Sequence, residues 1–152
     1  MKTFQGRTAV ITGAGSGFGL EAARIAAREG MNVVLADVQV DALESALDEM
    51  HSLGAQALPY RLDVSKALEV EALAKATIDR FGVPHFVFNN AGVGFGGLIW
   101  EHSARDWEWV IGVDLWGVVN GVRVFAPHLV AHGDGHIVNT ASLAGLTTGT
   151  IV

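Results

Sequence analysis

With 152 residues, 50% of them hydrophobic and only 3 prolines, the chain is long enough to bury one core, and a single domain over residues 1–152 is expected. A formal net charge of -6 leaves no electrostatic footprint for nucleic acid or an anionic membrane, and the lack of cysteine excludes disulfides and thiolate chemistry. The start Met1-Lys2-Thr3-Phe4-Gln5-Gly6 has no charged-then-apolar leader and no apolar stretch of membrane-spanning length is expected, which points to a soluble, cytoplasmic protein.

Thr8-Ala9-Val10-Ile11 predicts a first strand near 8–12, and Thr12-Gly13-Ala14-Gly15-Ser16-Gly17-Phe18-Gly19 lies between it and a helix near 18–29. Glycines at alternate positions let the backbone turn tightly. They also let a pyrophosphate approach the unsatisfied N–H groups and positive dipole end of the following helix. Gly13, Ser16, Gly17, Phe18 and Gly19 are therefore candidate contacts for a nucleotide cofactor, with an ordinary tight turn as the alternative. The spacing does not meet the strict G-x-G-x-x-G spelling, which would put its last glycine at Phe18. It is not a P-loop either, because no Lys-Ser or Lys-Thr follows.

Asn32-Val33-Val34-Leu35-Ala36 predicts a buried second strand, and Asp37 at its end stands where an acid accepts hydrogen bonds from an adenosine ribose. The same carboxylate would repel a 2′-phosphate, and Val38 offers no arginine to receive one, so NAD is favoured over NADP. Alternatively, Asp37 caps the helix expected near 40–53. A strand near 57–62 leads to Asp63-Val64, a helix near 66–81 follows, and a strand near 84–88 runs into Asn89-Asn90-Ala91-Gly92. The loop Val93-Gly94-Phe95-Gly96-Gly97-Leu98-Ile99-Trp100 offers Phe95, Leu98 and Trp100 either to a substrate or to the core. A long helix is expected near 104–131, packed through Trp107, Trp109 and Trp116, and a strand near 136–141 ends at Ser142. His128, His132 and His136 recur at intervals of four. Gly133-Asp134-Gly135 ends the helix before the third of them, however, and no metal site is expected.

Near-continuous apolar strands alternating with amphipathic helices argue for a parallel sheet covered on both faces. Right-handed crossovers then give an α/β fold of the Rossmann type, a doubly wound sheet in three layers, with ligands at the carboxyl ends of its strands. Every motif named above falls at such an end.

The order and spacing of Thr12-Gly-x-x-x-Gly-x-Gly19, Asp63-Val64, Asn89-Asn90-Ala91-Gly92, Val113-Asp114-Leu115-Trp116-Gly117 and His136-Ile137-Val138-Asn139-Thr140-Ala141-Ser142 resemble the short-chain dehydrogenase/reductase family over nearly the whole chain. The resemblance implies an NAD-dependent oxidoreductase that interconverts a secondary alcohol and a ketone or aldehyde. It implies that Asp63 and Val64 lie against the adenine, that Asn90, Ala91 and Gly92 run along the cofactor, and that Ser142 hydrogen-bonds the substrate oxygen. The family's proton-transferring tyrosine and its lysine, four residues apart, fall beyond Val152, and the one tyrosine present, Tyr60, precedes a cofactor-contact element. The resemblance therefore implies a chain truncated after its fifth strand and inactive by itself, with a non-catalytic nucleotide-binding module of the same fold as the alternative. Asp114 replaces the family's usual asparagine, whose side chain fixes a local helix distortion and whose carbonyl holds a relay water. An aspartate can still offer the carbonyl but donates a hydrogen bond from its side chain only when protonated. A purely structural hydrogen bond to a neighbouring loop is the other reading of Asp114. The resemblance also implies a homodimer or homotetramer and a small alcohol or carbonyl substrate. An S-adenosylmethionine methyltransferase is the remote alternative; it expects an acid ahead of the glycines, where Ile11-Thr12 stand, and gives no account of Asn89-Asn90-Ala91-Gly92.

Overall fold

The computed structural model describes residues 3–147, so the outermost residues of the expected 1–152 domain lie outside the described part. Five strands, β1 (Thr8–Thr12), β2 (Asn32–Asp37), β3 (Ala57–Arg61), β4 (Phe86–Asn89) and β5 (His136–Asn139), form one sheet in the order β3-β2-β1-β4-β5. All neighbouring pairs are parallel. The helices are α1 (Gly17–Arg28), α2 (Val40–Ser52), α3 (Ala67–Phe81), α4 (Ala104–Val110) and α5 (Gly117–His132). The Rossmann-type sheet expected from the sequence is therefore present, and its order reverses between β1 and β4, the switch point at which such sheets bind ligands.

Two cores explain why the central strands are apolar without a break. Side chains of a strand alternate between faces. Ala9, Ile11, Val33 and Leu35 pack with Ala23, Ala27, Leu43, Ala46 and Met50 of α1 and α2. Val10, Val34 and Val87 pack with Val70 and Leu73 of α3 and Phe125 and Leu129 of α5. Tyr60 packs against this second core from β3.

The helix expected over 104–131 is not uniform. Between α4 and α5 the residues Ile111–Trp116 form a π-helical segment, a widened turn that no periodicity announces. The run Ala104–His132 is also long and apolar enough, by length and composition, to cross a bilayer, which corrects the expectation that no such stretch exists. Here α5 instead lies against the sheet. A side chain at Gly121 would come within 2.0 Å of Asn89 Oδ1, and one at Gly117 within 2.7 Å of Val64 Cγ2, so both glycines permit the close approach.

At the opposite end from the glycine turn, a histidine joins three strands. His85 donates its backbone N–H to Thr8 O, accepts from His136 N through its carbonyl, and accepts the Thr8 backbone N–H through Nδ1 at 3.3 Å. The His132 ring meets it edge-on at 5.0 Å, and beside it Arg7 bonds Asp134 at 2.6 Å. Burial holds the His85 pKa below its usual 6.5, reinforced by the nearby Arg7 and His132, with Asp134 opposing. The unfolded chain therefore binds a proton that the folded one refuses, so this group's contribution is complete above about 6.5 and is lost as pH falls below it. Thermal melts between pH 7.5 and 5 are expected to show a falling midpoint, with a shallower fall in His85→Gln, whose amide oxygen can still accept. An equal slope in both proteins would remove His85 as the cause.

Candidate nucleotide site

The residues singled out in the sequence, Gly19, Asp114 and Ser142 excepted, meet in one cavity of about 500 Å³ at the carboxyl ends of the strands. Gly13 and Ser16 come from the turn after β1, Gly17 and Phe18 from the start of α1, Asp37 and Val38 from the end of β2, Asp63 and Val64 from just after β3, and Asn90, Ala91 and Gly92 from just after β4. That volume lies within the ordinary range of cofactor sites.

The N-terminus of α1 is left open for an anion. Its N-cap Ser16 makes no side-chain capping bond and its first turn holds no acid, whereas α2, α3 and α4 carry Asp41, Glu69 and Asp106 there. The first N–H groups of a helix have no internal partner, and the dipole is positive at that end. A phosphate fits such a terminus without displacing a resident carboxylate.

The glycines divide the work differently from the expectation that Gly17 and Gly19 both provide closeness. Gly17 has φ +54° and open space where a Cβ would stand, so it supplies a left-handed backbone conformation. Gly19 provides the closeness: a Cβ there would lie 2.1 Å from Gly13 O. Gly19 is buried behind the turn and does not line the cavity. Gly13 serves both ends, with φ +66° and a would-be Cβ 2.9 Å from Ala91 Cα.

Asp37 is fixed by two backbone donors, Gly15 N–H to Oδ2 at 2.9 Å and Gln39 N–H to Oδ1 at 3.0 Å. The capping alternative is thus realised in part, since Gln39 is the N-cap of α2. Each carboxylate oxygen accepts more than one hydrogen bond, so Asp37 retains capacity for hydroxyl donors in the cavity. Asp63 is held likewise: its backbone N–H bonds Glu69 Oε2 at 2.7 Å and its Oδ1 accepts from Ser65 N at 2.9 Å.

Several positioning residues escaped the sequence reading. Thr12 Oγ1 accepts the backbone N–H groups of Asn90 at 2.9 Å and Ala91 at 3.1 Å, while Asn90 Nδ2 donates to Thr12 O at 3.2 Å. Thr140 Oγ1 donates to Asn90 Oδ1 at 3.0 Å, and buried Asn89 donates to Asn139 Oδ1 at 2.8 Å. Asn120, buried in α5, donates to Val64 O at 3.0 Å. A threonine that closes an apolar strand just before a glycine turn was the available signal for Thr12. Asn89, Asn139 and Thr140 fall within motifs quoted from the sequence, but their partners lie 50 residues away, and Asn120, which reaches Val64 across 56 residues, has no local mark.

The second group of predicted residues stands outside the cavity lining. Asp114 lies in the π-helical segment and its Oδ1 accepts the Val93 backbone N–H at 2.8 Å. It is exposed rather than buried and acts as an acceptor, which is the loop-holding reading. Ser142 follows β5, is exposed, and accepts the Ala144 backbone N–H through Oγ at 3.1 Å. Trp109 lines the cavity instead of packing in the core, and Trp107 and Trp116 stay half-exposed. Trp100 is 75% exposed, so core packing does not describe it either.

A model of the short chain dehydrogenase family matches residues 7–151. An oxidoreductase named SadH from Mycobacterium tuberculosis is 45% identical over 146 residues, which are 96% of this chain and 53% of that protein. A cyclohexanol dehydrogenase from an Acinetobacter species is 37% identical, over 94% of this chain and 57% of the relative. The crystal structure of a short chain dehydrogenase/reductase from Burkholderia phymatum in complex with NAD is 52% identical and superposes with a TM-score of 0.95, over 98% of this chain and 53% of that one. The chain thus spans about half the length of these relatives.

Proposed function

The chain belongs to the short chain dehydrogenase family, and from that premise we propose that it forms the cofactor-binding part of an NAD-dependent oxidoreductase that interconverts a secondary alcohol and a ketone or aldehyde. The observation that carries the nucleotide reading is the acid-free, uncapped α1 terminus opening onto the same cavity as Asp37. NAD, when bound, supplies or accepts the hydride. The backbone at Gly17 and Phe18 binds the pyrophosphate, Asp37 accepts the ribose hydroxyls, Asp63 and Val64 face the adenine, and Asn90 to Gly92 border the remainder. Ser142 hydrogen-bonds the substrate oxygen, and the backbone carbonyl at Asp114 holds a water in the proton path.

Proton transfer itself is assigned to a tyrosine and a lysine in the remainder of the polypeptide. Tyr60 is unsuited to it, because it lies on β3 and packs into the α3 and α5 core, whereas Ser142 follows β5 at the other edge of the described sheet. Residues 1–152 alone are therefore expected to bind nucleotide without turning over alcohol. The relatives named for cyclohexanol and bound to NAD support the substrate and cofactor assignments. A cytoplasmic homodimer or homotetramer, acting on a small molecule and on neither nucleic acid nor membrane, completes the reading.

Titration of the whole polypeptide with NAD and NADP tests the cofactor assignment. NAD is expected to bind more tightly, and Asp37→Ala to weaken it by about 1 to 2 kcal/mol, the scale of a charge-assisted hydrogen bond, while improving NADP. Equal or tighter binding of NADP by the unaltered protein would remove Asp37 from the argument. Intact mass and sequencing of the polypeptide distinguish the enzyme from a non-catalytic module: a tyrosine and lysine spaced by four residues are expected past Val152.

A further inference from the structure

Between β3 and α3 the chain turns at Leu62 to Lys66, and its backbone donors are taken up in succession. Leu62 donates its N–H to Asp37 O at 3.0 Å, Asp63 to Glu69 Oε2 at 2.7 Å, Ser65 to Asp63 Oδ1 at 2.9 Å and Lys66 to Asp63 O at 3.0 Å. The Ser65 contact is an Asx turn, in which an aspartate side chain binds its own backbone two residues on. Val64 is the exception: it is 7% exposed, and among the described residues its N–H has no hydrogen-bond partner. A buried N–H without a partner costs free energy and is uncommon in folded proteins, so this one calls for a partner from the cavity that Val64 lines.

Two helices grip that turn. Glu69, in the first turn of α3, reaches back past the N-cap Lys66, which makes no side-chain capping bond of its own, to the Asp63 N–H. Asn120 of α5, 3% exposed, donates from Nδ2 to Val64 O at 3.0 Å. The helical run that carries Asn120 also lies close against the turn: a Cβ at Gly117 would stand 2.7 Å from Val64 Cγ2, and one at Gly112 would stand 3.4 Å from Ser65 Cβ. Neither Glu69 nor Asn120 lines the cavity. The residues that do, Asp63 and Val64, offer it an acceptor and a donor side by side: the carboxylate, whose Oδ2 takes no hydrogen bond from the described residues, and the Val64 N–H.

We infer that Glu69 and Asn120 are positioning residues for the purine end of the cofactor: by holding the Asp63-Val64 turn they make the protein select an adenine over a hypoxanthine base. The inference rests on the nucleotide reading of the site. Adenine carries an amine donor beside a ring-nitrogen acceptor on one edge, the complement of the carboxylate and N–H on the turn. In hypoxanthine a carbonyl replaces the amine and the ring nitrogen carries a proton, so acceptor meets carboxylate and donor meets N–H. A site built on fixed hydrogen-bonding groups rejects an analogue that cannot pair with them, and the rejection weakens once those groups are free to shift.

Calorimetric titration of the whole polypeptide with NAD and with nicotinamide hypoxanthine dinucleotide, which differs from it only on that edge of the purine, makes the test. The unaltered protein is expected to bind NAD about tenfold or more tightly than the analogue. Asn120→Ala and Glu69→Ala should each bring that ratio down to about threefold or less, mainly by weakening NAD. Glu69→Gln should keep it, because the amide oxygen can still accept the Asp63 N–H. A merely structural role would weaken both dinucleotides alike and leave the ratio where it was. The Glu69 side chain is 38% exposed, so its variants decide the matter if Asn120→Ala proves unstable in a thermal melt. A ratio near one in the unaltered protein, or a ratio unmoved in the folded variants, overturns the inference while NAD binding keeps the nucleotide reading. Binding of neither dinucleotide overturns that reading, and the inference with it.

Discussion

Replacing Gly19 by alanine is expected to destabilise the fold by about 3 kcal/mol or more and to abolish nucleotide binding, whereas Gly17→Ala is expected to cost about 1 to 2 kcal/mol. At Gly19 the added methyl would lie 2.1 Å from Gly13 O and 2.8 Å from Asn90 Nδ2. Neither can retreat easily. Gly13 is backbone, already in a left-handed conformation and close against Ala91, and Asn90 is tied to Thr12 and Thr140. Relief requires α1 to move away from the turn, and with it the N–H groups proposed to hold the anion. At Gly17 a methyl meets nothing within 4 Å, and the cost is the left-handed φ of +54°. Gly94 has open space and no unusual φ, so Gly94→Ala serves as the control. Denaturant midpoints and NAD dissociation constants for the three variants decide the matter. A Gly19→Ala protein with native stability and native affinity would show that the turn is not as tight as described.

In the whole polypeptide, Ser142→Ala is expected to lower the rate of hydride transfer by roughly 2 to 4 kcal/mol of transition-state stabilisation, about thirtyfold to a thousandfold, with NAD affinity unchanged. A hydroxyl offers one donor and two acceptor positions. Ser142 Oγ already accepts the Ala144 N–H, which orients the group and leaves its proton free to donate. A donor fixed before the reaction costs no reorganisation when charge develops on the substrate oxygen. Absorbance of reduced nicotinamide across a panel of secondary alcohols, compared between residues 1–152, the whole polypeptide and the serine variant, makes the measurement. An unimpaired variant would remove Ser142 from the chemistry, and turnover by residues 1–152 alone would remove the need for the later tyrosine and lysine.

The alternation of apolar strands with amphipathic helices was sufficient for the sheet, its parallel sense and its five strands, because burial on both faces makes each strand apolar throughout. The same local logic located the mouth of the cavity: glycines between a strand and a helix, an acid at the end of the next strand, and Asn90 to Gly92 after β4 all fall at strand ends. What the sequence did not determine depends on contacts between distant residues. That Gly19 is the tight glycine and Gly17 the left-handed one follows from where Gly13 O lies. That Asn120 holds Val64 across 56 residues follows from how closely α5 approaches β3 and β4. The π-helical turn at Ile111–Trp116 leaves no mark in the hydrophobic period, although the resemblance implied a distortion at Asp114, and the fold decided between the two readings of that side chain by bringing the Val93 N–H to it. Local patterns record which face of an element is buried, whereas the length of a hydrogen bond or the room for a methyl group is set by the partner the fold brings to that face.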